Sequence, residues 1–312
     1  MKDKNDELQN LQDNTADVEI DQSSSGKDVE EDTHYRKNLL EKEYVCVQDT
    51  LKDHSTPVDY SSPARILVIE RQNRSKEINK HAQASVEVFV PQREVGDEAV
   101  VVWDAALVLS YYLEKHQLSL ELFNDTNPPH VVDVGAGTGV VGLVAASLGA
   151  NVTLTDLPRT LPLLEEGVKA NNGLLYNTSS TNGKRFIRAL PLNWGNISEV
   201  HELCKKKEIN GTTVGGPPDL IVISDCVYFE DSLAPLICTL RELAKFSKEN
   251  VQILLSYEVR DYSAKKKKIK EDFFALAERY FSIQEIPTKD CHREYASDDI
   301  KLIKMTLMSP KK

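Results

Sequence analysis

The strongest chemical pattern in the chain is Val131-Val-Asp-Val-Gly135-Ala-Gly137-Thr-Gly139-Val-Val-Gly142, an apolar run that turns through glycines into a second apolar run. Without β-carbons the backbone can approach a ligand closely, and a helix starting there offers unpaired N–H groups to a polar or anionic group. Seventeen residues after Gly139 stands Asp156, closing the run Asn151-Val-Thr-Leu-Thr. A carboxylate at the tip of a second strand lies beside the first loop and can accept both hydroxyls of a ribose. The set points to a nucleoside cofactor. Gly137-Thr-Gly139-Val-Val-Gly142 meets the GxGxxG dinucleotide spacing, so a nicotinamide-dependent oxidoreductase is one reading. Against it, Asp133 precedes Gly135 by two, where its charge repels a pyrophosphate and welcomes the ammonium of a methionine moiety. That favours S-adenosylmethionine, with Asp133, Gly135, Ala136, Gly137 and Asp156 as its binding residues.

A second constellation, Ser224-Asp225-Cys226-Val227-Tyr228, follows the apolar run Asp219–Ser224. In open α/β sheets ligands bind at the carboxyl ends of the strands, which puts this carboxylate and phenol beside the reacting end of the cofactor. The two tryptophans fit the same edge. Trp194, at the tip of a third strand, can stack on adenine, and Trp103, ending an approach segment, can cover the methionine part. The competing reading of each is a tryptophan packed in the core beside apolar residues.

These residues need a scaffold. Strand-like runs at His130–Val134, Asn151–Thr155, Phe186–Leu190, Asp219–Ser224 and Val251–Tyr257 alternate with helix-like stretches at Val140–Leu148, Leu161–Asn171, Ser198–Lys206 and Ser232–Ser247. Near-continuously apolar strands, each followed by a helix, predict a parallel sheet covered on both faces. The C-terminal part departs from this: after a helix over Ala264–Tyr280, the strands Ser282–Pro287 and Asp299–Leu307 are joined by a short loop and must pair antiparallel. The expected fold is therefore α/β, a doubly wound Rossmann-like seven-stranded sheet, mostly parallel with an antiparallel C-terminal strand. An N-terminal extension adds a β-ribbon at Arg65–Glu70 and Ala84–Val90 and a helix over Val100–Leu113. The loops Tyr176–Lys184 and Asn210–Pro218 have turn compositions.

Composition sets the outer limits. The 312 residues are 40% apolar and 28% charged, with a net charge of −11. Residues 1–60 hold 7 Lys+Arg against 16 Asp+Glu, leaving 31 against 33 in residues 61–312. We read 1–60 as an acidic, largely disordered tail, with a helical turn or two near Tyr35–Val47, and 61–312 as the folded domain. The domain lacks the basic field that recruits nucleic acid. No run of about 18 apolar residues occurs and no signal sequence opens the chain, so a membrane partner is not expected. Five cysteines without CxxC spacing or histidine companions predict neither disulfides nor a metal, and a reducing cytoplasm or nucleus. The Lys265–Lys268 run reads as a solvated helix face.

The motif set resembles the seven-stranded protein-lysine methyltransferases of the methyltransferase-like group, which carry an acidic-x-x-aromatic motif after the fourth strand, here Asp225-Cys-Val-Tyr228. The likeness extends through Val102-Trp-Asp-Ala-Ala106, Leu192-Asn-Trp-Gly195 and Ser256-Tyr-Glu258, and covers about Arg65 to Leu307. It implies S-adenosylmethionine held by Trp103, Gly135, Ala136, Gly137, Asp156, Trp194 and Ser224. Asp225 and Tyr228 would act at the acceptor lysine, with Tyr257 and Glu258 as weaker candidates. Within the group the likeness points to the members acting on valosin-containing protein, an AAA ATPase; a translation factor is a further acceptor, and a monomer is implied. A small-molecule methyltransferase, an oxidoreductase and a non-catalytic scaffold are the competing readings.

Overall fold

A computed structural model describes residues 45–47, 64–71, 85–93, 98–122, 127–175 and 185–309. The chain runs through β1 (Val45–Val47), β2 (Ala64–Glu70), β3 (Ser85–Pro91), α1 (Asp104–Lys115), β4 (His130–Val134), α2 (Val140–Leu148), β5 (Asn151–Asp156) and α3 (Leu161–Ala170). There follow β6 (Phe186–Pro191), α4 (Ile197–Leu203), β7 (Lys206–Ile209), β8 (Thr212–Gly215), β9 (Leu220–Ser224) and α5 (Leu233–Phe246). The last elements are β10 (Gln252–Glu258), α6 (Ala264–Ala277), β11 (Phe281–Ile286) and β12 (Ile300–Leu307).

The main sheet has the order β1-β6-β5-β4-β9-β10-β12-β11. Strands β6, β5, β4, β9 and β10 are parallel, and β12 inserts antiparallel between β10 and β11. This is the expected seven-stranded doubly wound sheet, extended at one edge by β1, antiparallel to β6. Every residue of β4 is buried and β9 is buried over Leu220–Ile223, because helices cover both faces. The chain winds outward from β4 through β5 and β6, then returns to β9 on the other flank. The crevice at this switch in direction opens beyond the carboxyl ends of β4 and β9.

Near the amino ends of the strands lies a buried polar cluster. His130 Nε2 shares a hydrogen bond with Thr153 Oγ1 at 2.8 Å and its Nδ1 one with the Gly216 carbonyl at 3.0 Å. Arg188 donates to Thr153 Oγ1 and to the Leu203 carbonyl, both at 2.8 Å. Burial, helped by the neighbouring Arg188, pushes the His130 imidazole down to about 4, so it stays neutral.

Three elements differ from the sequence reading. Asn210–Pro218 is not a plain loop: β7 and β8 form a hairpin through Asn210 and Gly211, both at positive φ, the conformation a two-residue hairpin turn demands. The helix expected from Val100 begins at Asp104, which makes Trp103 its N-cap residue in extended conformation. Val45–Val47, inside the segment assigned to the tail and expected as helical turn, is a strand. The rest of residues 1–60 and the loop Tyr176–Lys184 lie outside the described residues. The ribbon β2–β3 is anchored where Asn171, just after α3, donates to the Phe89 carbonyl and accepts the Phe89 N–H.

Candidate active site

At the carboxyl end of β4 the backbone turns through Gly135, Gly137 and Gly139, with φ of +68°, +55° and +79°. A β-carbon at Gly135 would lie 2.8 Å from both Cys226 Sγ and the Trp194 ring, so a side chain is excluded by space as well as by φ, and one at Gly137 would make a tight 3.1 Å contact with the Ala99 carbonyl at a φ that side chains rarely adopt. Gly142 serves packing: a β-carbon there would sit 2.2 Å from Leu154. Asp156, ending β5, braces the loop. Its Oδ2 accepts the Gly137 N–H at 2.8 Å and its Oδ1 the Leu157 N–H at 2.7 Å. Burial raises the pKa of this carboxyl, and those two N–H groups oppose the rise. With the Thr160 side chain also hydrogen-bonded to it, the carboxylate keeps one lone pair for a ribose hydroxyl.

The loop forms one wall of a cavity of about 860 Å³, within the range of small-molecule sites. Trp194 enters from the turn after β6, where Gly195 N–H donates to Thr239 Oγ1 and Asn193 is held by Glu199. Trp103 closes another side, its indole N–H donating 2.7 Å to the Glu98 carbonyl. Ser224, Asp225 and Tyr228 line the same cavity from the end of β9. Trp103 and Phe229 are 40% and 53% exposed, which leaves an aromatic mouth open to solvent. A glycine cradle, a ribose-seeking carboxylate and two indoles in one cavity of this volume fit S-adenosylmethionine.

Asp225 is held from three directions. Its backbone is left-handed, φ +52°, and its N–H donates 2.8 Å to the Ser256 carbonyl on β10. Arg260 donates Nη1 to Oδ1 at 2.9 Å and Nη2 to Oδ2 at 2.5 Å, while the Glu258 N–H reaches Oδ1 at 3.2 Å. Arg260 Nη2 also donates 2.7 Å to Glu258 Oε2, and the guanidinium lies 5.8 Å above the Trp103 ring. Tyr228 is pushed up to about 12 mainly by burial, with the nearby Asp156 carboxylate adding to the rise, so it works as a neutral phenol. Lys266 Nζ donates 3.0 Å to the Tyr228 carbonyl.

Of the residues singled out from sequence, Trp103, Gly135, Ala136, Gly137, Asp156, Trp194, Ser224, Asp225 and Tyr228 meet in this cavity. Asp133 does not. Fully buried beneath the loop, it accepts the Gly142 N–H at 2.9 Å at the start of α2, leaves Oδ1 unpartnered, and is pushed up to about 7 by desolvation. A strand side chain facing the helix covering its sheet cannot also face the cavity at the strand's end. Tyr257 is buried against Phe274, 5.5 Å between ring centres, and Glu258 serves Arg260; neither lines the cavity. Sequence reasoning missed Arg260 and the lysines at the cavity. Arg260 follows Glu258 by two, the spacing that would put both on one side of an extended strand end. Lys265 and Lys266 line the cavity, while Lys268 and Lys270 pair with Asp272 and Asp261 as a solvated face does.

The sheet order, the glycine cradle and the acidic tip of β5 define a seven-stranded S-adenosylmethionine-dependent methyltransferase. A family described as lysine methyltransferase matches residues 82–280, and the chain belongs to it. It is 33% identical over 214 residues to the mouse protein N-lysine methyltransferase METTL21A, covering 68% of this chain and 82% of that one. The mouse EEF1A lysine methyltransferase 3 is 35% identical over 145 residues, 46% of this chain and 50% of that one. Among solved structures, a TehB-like SAM-dependent methyltransferase from Corynebacterium glutamicum shares 15% identity at a TM-score of 0.39, covering 67% of this chain and 89% of that one. With the family established, the oxidoreductase reading falls.

Proposed function

We propose that this methyltransferase acts on lysine side chains of a protein, with a valosin-containing-protein-like AAA ATPase or a translation factor as acceptor, and works as a monomer in cytoplasm and nucleus. The observation that carries the reading is that Asp225 and Tyr228 line the same open cavity as the glycine cradle. An aromatic mouth open to solvent suits a side chain reaching in from a macromolecule better than an enclosed small substrate. The names of the two curated relatives support the acceptor class, and that of the second supports a translation factor.

S-adenosylmethionine supplies an electrophilic methyl on a positively charged sulfur. Asp156 would hold the ribose, the loop Gly135-Ala136-Gly137 would let the backbone come close to the cofactor, Trp194 would take the adenine and Trp103 would cover the methionine part. A lysine is only about 0.04% neutral at pH 7, and making the free amine available costs roughly 4–5 kcal/mol. Desolvation and nearby positive charge both lower that cost, so no strong base is required. Asp225 positions the amine, and most of the acceleration comes from aligning nitrogen, methyl and sulfur. The ring faces of Tyr228 and Phe229 can hold a methylated, still cationic lysine, which favours repeated transfer.

Labelled S-adenosylmethionine, incubated with a heat-inactivated unmethylated cell extract, tests this. We expect a labelled protein band, methyl-lysine on hydrolysis, and loss of label with Asp225→Ala. Label confined to low-mass products would replace the reading with a small-molecule acceptor, and monomethyl-lysine alone would remove repeated transfer.

A further inference from the structure

We infer that Arg260 is the positioning residue of the acceptor end: its guanidinium fork fixes the Asp225 carboxylate and joins it to Trp103, so that an incoming amine meets one remaining lone pair beside a fixed positive charge. The inference rests on the lysine-acceptor reading above.

A carboxylate offers about four lone-pair sites. On Asp225, Oδ1 receives Glu258 N–H and Arg260 Nη1, and Oδ2 receives Arg260 Nη2. Three sites are thus taken, and one on Oδ2 is left for a substrate. The pair is dehydrated, with side chains 8% and 14% exposed. Both strands grip the left-handed Asp225, and the segment it begins carries Tyr228 into the cavity. Arg260 touches a carboxylate from the end of β9, another from the end of β10 and the indole face before α1. Only a planar group with forked donors and a flat face can do all three, so lysine is not an equivalent here.

The chemical consequence concerns the proton on the acceptor. A free carboxylate would stabilise the lysine ammonium and slow its loss of a proton. With Asp225 countered by Arg260, the local balance shifts toward the neutral amine. The ionisable groups acting on Arg260 are Asp225, Glu258 and Tyr262. Around it, Glu98, Tyr228 and Lys266 also line the cavity.

Arg260→Gln and Arg260→Lys in the full chain separate this role from a structural one. Cofactor affinity is read by calorimetry, and methyl transfer to the heat-inactivated extract is read from pH 6 to 10 at saturating labelled cofactor. We expect both variants to retain cofactor binding, because Asp156, Trp194 and the glycine loop are untouched, with at most a modest weakening where Trp103 loses its guanidinium. Arg260→Gln should slow transfer roughly 10²-fold, the cost of a misplaced reacting group, and move the rise of rate with pH upward by roughly one unit. Arg260→Lys should keep the wild-type pH profile, with a rate between the two. Arg260→Gln within twofold of wild type, loss of cofactor binding in both variants, or equal slowing in both with an unmoved profile would each overturn the inference and leave the lysine reading standing. A wild type that puts no label into lysine would instead overturn that reading, and this inference with it.

Discussion

Arg188, toward the amino ends of the strands, directs its donors to a hydroxyl and a backbone carbonyl of the elements around it. Arg260, at the carboxyl ends, directs its donors to two carboxylates beside a cavity. Both are largely removed from water, yet their surroundings differ in kind. Around Arg188 a hydroxyl and a backbone carbonyl each take a donor, and the β7–β8 hairpin packs against the guanidinium, with Gly215 so close that a β-carbon would lie 2.8 Å from Nη2. Around Arg260 the partners are charged, the backbone is left-handed and one face opens to the cavity. A buried guanidinium that ties a strand hydroxyl to a backbone carbonyl holds elements together. One with charged partners beside an opening holds other side chains in place for a third party.

The two ends of β4 sharpen that contrast. Burial depresses His130 to about 4 and raises Asp133 to about 7. Between pH 4 and 6.5 the folded state binds fewer protons than the unfolded at His130 and more at Asp133, so their effects on stability oppose. Asp133 favours folding below its unfolded value near 3.9, and that contribution is lost as pH rises through 7. In Asp133→Asn the loss disappears. Urea midpoints at pH 4, 5.5 and 8 should show the variant gaining on wild type as pH rises, by on the order of 4 kcal/mol across the range; parallel curves would remove the argument. Next in size, Arg188→Leu leaves Thr153 and the Leu203 carbonyl without that donor and should cost about 3 kcal/mol, lowering Tm by roughly 6–12 °C. Its methyl transfer per folded molecule at low temperature should equal that of wild type, the reverse of the pattern expected for Arg260. A slowed rate at full folding would break the distinction between the two ends. Smallest, Trp194→Ala should weaken S-adenosylmethionine by roughly 1–3 kcal/mol, as loss of a stacked base does elsewhere, with Tm nearly unmoved; calorimetric titration reads it directly.

The strands, the glycine turn and Asp156 were legible because local rules determine them: period, β-carbon sterics, and the spacing of a βαβ unit. What escaped depends on neighbours distant in sequence. Asp225 and Arg260 are 35 residues apart and meet only because β9 and β10 lie in parallel register, Ser224 beside Ser256. Asp133 misled because its spacing to the loop said nothing about which layer its carboxylate faces. The β7–β8 hairpin escaped because Lys206-Lys-Glu-Ile carries little apolar signal, although Asn210-Gly211 between short runs is a known mark of such a turn. In the Lys265–Lys268 run, composition alone could not separate the two lysines at the cavity from those paired along the helix.

Cys226 lies sealed beneath Gly135, its thiol held well above its usual range by burial, while Cys238 on α5 is exposed. A thiol reagent therefore reacts with Cys238 at once and must wait at Cys226 until the segment after β9 lifts from the glycine turn. The difference between the two alkylation rates is a clock for the opening of the cavity floor, and it runs slower whenever a ligand keeps that floor shut.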